Sequence, residues 1–399
     1  MNNSNLIRKL VVSGGVNQLA IAFVGLLRVP LVISTFGTEK FASYAAALGF
    51  WTLIAAIGES ARQRIRILEF ADSNRESSRM VLWQSVGLAC ATGILSAFVF
   101  LNLGGSSSPD LFTFAVAFSC GIIYVPFAMS MGRLEGQFKF STANFYLAVG
   151  QVLGFLITLL GCFLGQIWLV GFSVLFPFFL PGVIGYLIRF KKPQSGFITK
   201  IEPNSSTQHN DRPLLLLVLF SETLVYAIDG ALVLRFAGSE QAAIFAVVQR
   251  IVSVFAILPM VIAPLSSALN IKQGMAGLKS AVLKIQIYSG LALSTFVMLL
   301  GPILFNLLSH GQLQLNMWTL TVACMSGLIL ALTTTEIQSA TSSKLVSLKA
   351  TVVSIVAIFN ISVTVALGPS LGATAAFIST ATGQLLYFTS IRIYRRRQK

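Results

Sequence analysis

The chain has 399 residues, 55% of them hydrophobic and only 10% charged, with a formal net charge of +15. A charged fraction far below the roughly 25% of ordinary soluble domains excludes a soluble globular protein and indicates a polytopic membrane protein. The basic excess falls in short stretches between apolar runs, a distribution that fits an anionic membrane leaflet and not nucleic acid.

A helix needs about 20 apolar residues to cross a bilayer. On that measure the sequence predicts about twelve spans: 10–35, 41–58, 80–102, 111–131, 143–163, 167–188, 213–236, 241–265, 283–307, 316–335, 348–367 and 371–391. Arg8 and Lys9 precede an apolar run without a small-residue cleavage site, so the first span is expected to be retained. Lys and Arg gather on one side of the predicted topology, from Arg8 and Lys9 to the 392–399 tail, and Lys40 stands alone on the other. The positive-inside rule then places both termini in the cytoplasm. The outer loops are short: 38–40, 104–110, 165–166, 239–240, 309–316 and 368–370. Residues 191–212, rich in Ser, Asn, Pro and Lys, read as a cytoplasmic linker between two six-helix lobes, 1–190 and 213–399. Cys90, Cys120, Cys162 and Cys324 all lie in apolar segments without CxxC spacing, which supports neither a disulfide framework nor a zinc site. No cofactor or metal is expected, and no P-loop points to ATP.

The halves resemble each other. Residues 28–45, from Arg28 through Phe36-Gly37-Thr38-Glu39 to Ala45, lie without gaps over 229–246, from Asp229 through Ala237-Gly238-Ser239-Glu240 to Ala246. Six spans per half make the repeat parallel, with its two-fold axis along the membrane normal, the plan of an alternating-access transporter. The repeat sets Arg28 in the first span opposite Asp229 in the seventh.

Charges inside the spans are the candidate site. An ionised group at mid-bilayer costs about 3 kcal/mol on insertion scales, so such groups pair or line a watered cavity. Counted from the turn at 237–240 at the rise of an α-helix, Asp229 lies roughly 12 Å and Arg250 roughly 15 Å deep. Glu222, Tyr226 and Asp229, spaced i, i+4 and i+7, share one helix face that is expected to look into the cavity between lobes. Two readings stand for Asp229, with Glu222 second: a protonatable or cation-binding switch, or a fixed partner of Arg250 or Arg28 that clamps helices. Arg28 and Arg250 make candidate substrate-binding residues for an anion, since a guanidinium grips phosphate bidentately and stays charged.

Other features carry less. Arg235 reads as a snorkelling anchor, and Asn17, Gln18, Asn144 and Gln151 as donors to sugar hydroxyls or to other helices. The segment 59–79 reads as a surface helix or solvated connector. Gly150-x-x-x-Gly154 permits close helix approach, and Pro30, Pro126, Pro177, Pro181, Pro259 and Pro264 are candidate hinges. His209 and His310 lie in opposite loops, too far apart to act together.

The pattern from Arg28 through Phe36-Gly37-Thr38-Glu39-Lys40-Phe41 to Tyr44, its echo from Asp229 to Gln249-Arg250, and Gly132-Arg133-Leu134-Glu135-Gly136-Gln137-Phe138 resemble the Wzx-type O-antigen and polysaccharide flippases. These belong to the multidrug, oligosaccharidyl-lipid and polysaccharide exporter superfamily. The resemblance implies two six-helix lobes around a V-shaped cavity in the bacterial inner membrane. It also implies an undecaprenyl-pyrophosphate-linked oligosaccharide, an O-antigen or capsule repeat unit of lipopolysaccharide or polysaccharide biosynthesis, as substrate, with Arg28, Asp229 and Arg250 at positions that match the family's intramembrane charges. Membrane lipids, and polysaccharide-assembly proteins, are the partners it implies. Coupling to a proton or sodium gradient, as in an antiporter, is the default without ATP. The alternatives are a cation-coupled drug exporter of the same superfamily and a membrane enzyme of polysaccharide assembly, which would be expected to carry a large charged outer loop.

Overall fold

The computed structural model describes residues 3–70, 81–94, 111–136, 139–177, 183, 217–218, 221–222, 224–225, 227–257, 276–338 and 343–397. All regular structure among them is helical. The first element, Asn3–Phe70, is one continuous helical rod except at Gly37, which divides it into α1 (3–36) and α2 (38–70). There follow α3 (Val81–Ile94), α4 (Leu111–Gly136), α5 (Phe140–Phe163) and α6, which begins at Ile167–Phe172 and continues through the 3₁₀ turn Ser173–Leu175. The second half has α7 (Asp229–Ala237), α8 (Ser239–Val252), α9 (Ala276–Ser309), α10 (Met317–Gln338), α11 (Ser343–Leu371) and α12 (Ala373–Arg397). Among the described residues every predicted span finds a helix in its place, because hydrocarbon leaves the backbone no other way to satisfy its hydrogen bonds. The linker 191–212, Tyr226 and His209 lie outside the described residues, as do Pro181, Pro259 and Pro264.

The turns at the end predicted to face outward are tighter than the predicted loops. Thr38 to Lys40 and Ser239-Glu240 are already helical, and one residue makes each turn: Gly37 (φ 83°, ψ 169°) and Gly238 (φ 92°, ψ 173°). That region of backbone space is essentially closed to side chains. The chain therefore reverses on a single glycine in each half, at equivalent positions of the repeat. Pro30 and Pro126, expected as hinges, lie inside unbroken helices.

The outer halves of α1, α2, α7 and α8 pack together as one cluster, with Val32, Ile33, Phe41, Val233, Ala243 and Val247 all below 5% exposed. Two glycines permit the crossing between lobes. Gly49 on α2 lies so close to the Ala227 carbonyl at the foot of α7 that no side chain fits there. On the other side, a Cβ at Gly25 on α1 would stand 3.9 Å from Nη1 of Arg250 on α8. Gly49 and Arg250 are themselves equivalent in the repeat, so one crossing is backbone against helix and the other is a guanidinium against helix.

At the opposite end of the first lobe, Arg62 on α2 joins Glu59, at 3.0 Å, to Glu135 on α4, while Tyr124 donates to Glu59. Gly132 lets α4 come up against the Arg62 backbone. The start of segment 59–79 is thus neither a free surface helix nor a solvated connector but a clamp on α4; residues 71–79 lie outside the described residues.

Candidate functional site

Below the packed outer cluster lies a cavity of about 620 Å³. The stripe Ile21, Gly25 and Arg28 brings one face of α1 to it, and Phe245, Gln249 and Arg250 bring one face of α8. Trp51 and Tyr44 on α2, Gln151 on α5 and Glu222 at the foot of α7 complete the wall. Helical spacing explains both stripes: residues three, four and seven apart fall on one side.

Arg28 and Arg250 come together here from opposite lobes, close enough to repel each other, and Tyr44 is near enough to interact with both. Arg28 is half-buried, and its Nε and Nη2 are buried without a hydrogen-bond partner. Its guanidinium lies across α5, where a Cβ on Gly154 would be 2.8 Å from Nη2. A buried donor without a partner forfeits its hydration and gets nothing back, so this group is poised for an acceptor from outside the chain.

Asp229 stands elsewhere. It is 2% exposed and does not line the cavity. The expected ion pair with Arg250 or Arg28 does not form: Thr380 on α12 donates to Oδ2 at 2.9 Å, and Oδ1 has no hydrogen-bond partner. Equal depth along two helices does not fix the direction in which each side chain points. The backbone runs helically through Ile228, whose N–H donates to the Leu224 carbonyl at 3.3 Å and whose carbonyl accepts from Leu232 at 3.0 Å, yet Glu222 reaches the cavity and Asp229 turns toward α12. Glu222 does line the cavity and accepts from the Tyr387 hydroxyl at 2.8 Å, with Lys349 nearby.

Asn360 organises the surroundings of Asp229. Its Nδ2 donates to the Val225 carbonyl at 3.0 Å, and its Oδ1 lies 3.1 Å from the Ser379 hydroxyl and 3.3 Å from that of Thr364. Asn360 and Thr364 both face the carboxylate. One carboxylate, one amide and two hydroxyls make an oxygen-rich pocket of the kind that suits a proton or a monovalent cation. No cluster of three or more His, Cys, Asp or Glu side chains occurs among the described residues. Asn360, Thr364, Ser379 and Thr380 were not singled out from the sequence. Neutral polar residues in spans are common, and only the echo of Thr158 in Thr364 and of Ser173 in Ser379 could have marked them.

Of the lesser candidates, Gln151 reaches the cavity, while Asn17, Gln18 and Asn144 are not in its wall. Arg235 is exposed near the C-terminal end of α7. His310 sits in the outer turn after α9 at φ 51°, its Nε2 3.2 Å from the Pro30 carbonyl.

No family model and no curated protein sequence matches this chain. Solved structures do. A MATE protein in complex with MaL6 superposes with a TM-score of 0.67 at 16% identity, over 98% of this chain and 95% of that one. An inward-facing multidrug resistance MATE family transporter of the MOP superfamily gives 0.68 at 15% identity, over 96% and 98%. The lipid II flippase MurJ in an inward closed conformation gives 0.67 at 15%, over 95% and 87%. The chain therefore has the all-α, multi-pass membrane fold of these proteins, twelve helices in two lobes.

Proposed function

We propose that this protein is an ion-coupled, alternating-access transporter of the inner membrane that carries a lipid-linked anionic head group, of which an undecaprenyl-pyrophosphate oligosaccharide is the model, from the cytoplasmic to the outer leaflet. The observation that carries the reading is the Arg28 guanidinium, buried with two donors unpartnered and facing Arg250 across the cavity. Two guanidinium groups that repel each other across the cavity are brought to rest by a ligand holding two negative charges, and a pyrophosphate fits that description. A polar, charged head group does not cross hydrocarbon unaided, whereas a polyprenyl tail stays in it. Trp51, Tyr44 and Gln151 offer ring faces and an amide to the sugars. On this reading the cavity beneath the packed cluster opens to the cytoplasm.

Asp229 is read as the coupling residue. Its free Oδ1, among Asn360, Thr364 and Thr380, takes up a proton or a monovalent cation apart from the substrate path. Binding there repacks α7 against α11 and α12, and α7 carries Glu222 into the cavity wall.

A second reading, a cation-coupled exporter of small molecules, is favoured by the multidrug MATE transporters among the matched folds. The reading is tested by the leaflet distribution of lipid-linked oligosaccharide in cells carrying wild type, Arg28→Ala, Arg250→Ala or Asp229→Asn at matched membrane levels. Accumulation in the inner leaflet for the variants supports flipping. Normal distribution in all of them and in a deletion strain, together with altered drug resistance, returns the exporter.

A further inference from the structure

The two lobes repeat more than their glycine turns. Thr158 on α5 donates to Ser173 on α6 at 3.0 Å, and Ser173 donates to the Val170 carbonyl at 2.6 Å. In the second lobe Thr364 pairs with Ser379 at 2.8 Å, and Ser379 donates to the Ala376 carbonyl at 2.8 Å. Each of these residues lies 206 positions beyond its counterpart. The same shift carries Gly154 onto Asn360 and Val174 onto Thr380, while the repeat of the first helices carries Arg28 onto Asp229. Arg28 over α5 and α6 and Asp229 over α11 and α12 are thus two copies of one site.

The copies differ at the positions that decide where the charge points. In the second lobe Thr380 donates to the Asp229 carboxylate at 2.9 Å with Asn360 beside it, and the carboxylate stays within the lobe, out of the cavity wall. In the first lobe those positions are Gly154 and Val174, neither of which has a side-chain hydrogen-bonding group. A Cβ at residue 154 would meet the Ser173 carbonyl at 2.7 Å and Arg28 Nη2 at 2.8 Å, so glycine here lets α6 close on α5 and leaves the guanidinium its place against them. Val174 lines the cavity alongside Arg28.

We propose that Gly154 and Val174 are positioning residues which, by withholding the polar side chains that Asn360 and Thr380 set beside Asp229, keep the Arg28 guanidinium unpartnered and turned to the cavity for the phosphate groups of the substrate. The proposal rests on the anion-binding reading above. It makes one lobe's copy an anion site open to the cavity and the other's a cation site closed from it, with the difference set by two side chains.

The test is the swap Val174→Thr, a change of nearly constant volume that supplies the missing hydroxyl. Full-length protein in detergent is titrated with inorganic pyrophosphate at fixed ionic strength, reading Trp fluorescence and the apparent melting temperature, beside wild type, Arg28→Ala and Gly154→Ala. The expected result is about five-fold weaker pyrophosphate binding by Val174→Thr, the size of one competing hydrogen bond, with the unliganded melting temperature unchanged or raised. A merely structural role would lower both together. Gly154→Ala is expected to weaken binding by displacing the guanidinium and also to lower the melting temperature by its contact with the Ser173 carbonyl, so Val174→Thr decides the point. If Val174→Thr binds as wild type does while Arg28→Ala loses binding, the positioning role is overturned and the anion cavity stands. If wild type shows no binding, or Arg28→Ala binds unchanged, both fall.

Discussion

Gly37 and Gly238, 201 positions apart, adopt the same backbone conformation within about 10°. Each closes a helix hairpin on one residue. This makes the repeat a physical equivalence and not only a likeness of letters, and it brings α1 and α2 against α7 and α8 as a four-helix core between the lobes.

The conformation is open only to glycine, so Gly37→Ala and Gly238→Ala are each expected to cost about 1–3 kcal/mol. Apparent melting temperatures in detergent check this. A change that spares Gly37→Ala while lowering Gly238→Ala would break the equivalence.

Gly49 faces the Ala227 carbonyl backbone to backbone. Gly49→Val is expected to force α2 from α7, at the upper end of the roughly 1–3 kcal/mol of overpacking, and to abolish transport. Matched Gly→Val changes at Gly87, where a Cβ would meet nothing within 4 Å, should be tolerated. Thermal stability and substrate leaflet distribution measured on both variants decide the point.

Asp229→Asn keeps an acceptor for the Thr380 hydroxyl and removes the charge. It should leave the fold and pyrophosphate binding intact while abolishing the response of transport to an imposed proton or sodium gradient. Transport assays in vesicles with each gradient set separately identify the coupling ion. A variant that still follows the gradient would move the coupling site elsewhere.

Arg62 is 19% exposed and joins two carboxylates. Glu135→Ala should cost about 2 kcal/mol, less than the 3–5 kcal/mol for breaking a fully buried pair, since water screens part of the loss. Glu59→Ala, at the more exposed end, should cost less. Melting temperatures of the two single variants and of the double variant give the coupling between them.

The positions of the helices were legible because the bilayer imposes a local rule, and a run such as 316–335 reads as a helix whatever surrounds it. Arg28, Arg250 and Glu222 were legible as cavity residues for the related reason that a charge in a span needs water or a partner. Asp229 was legible as buried and important, but its partner was not. Depth along α7 follows from counting, whereas the direction of the carboxylate depends on Thr380, which is 151 residues away.

Composition, span lengths, the turn glycines and the charge repeat, then, settled the membrane class, the helix number and the two-lobe plan, since each follows from solvation and backbone sterics acting within short stretches. Only the tertiary structure decided which polar groups meet. It drew Arg250 to Gly25, laid Arg28 over Gly154 and enclosed Asp229 with Asn360, because those contacts depend on how helices distant in sequence turn toward one another.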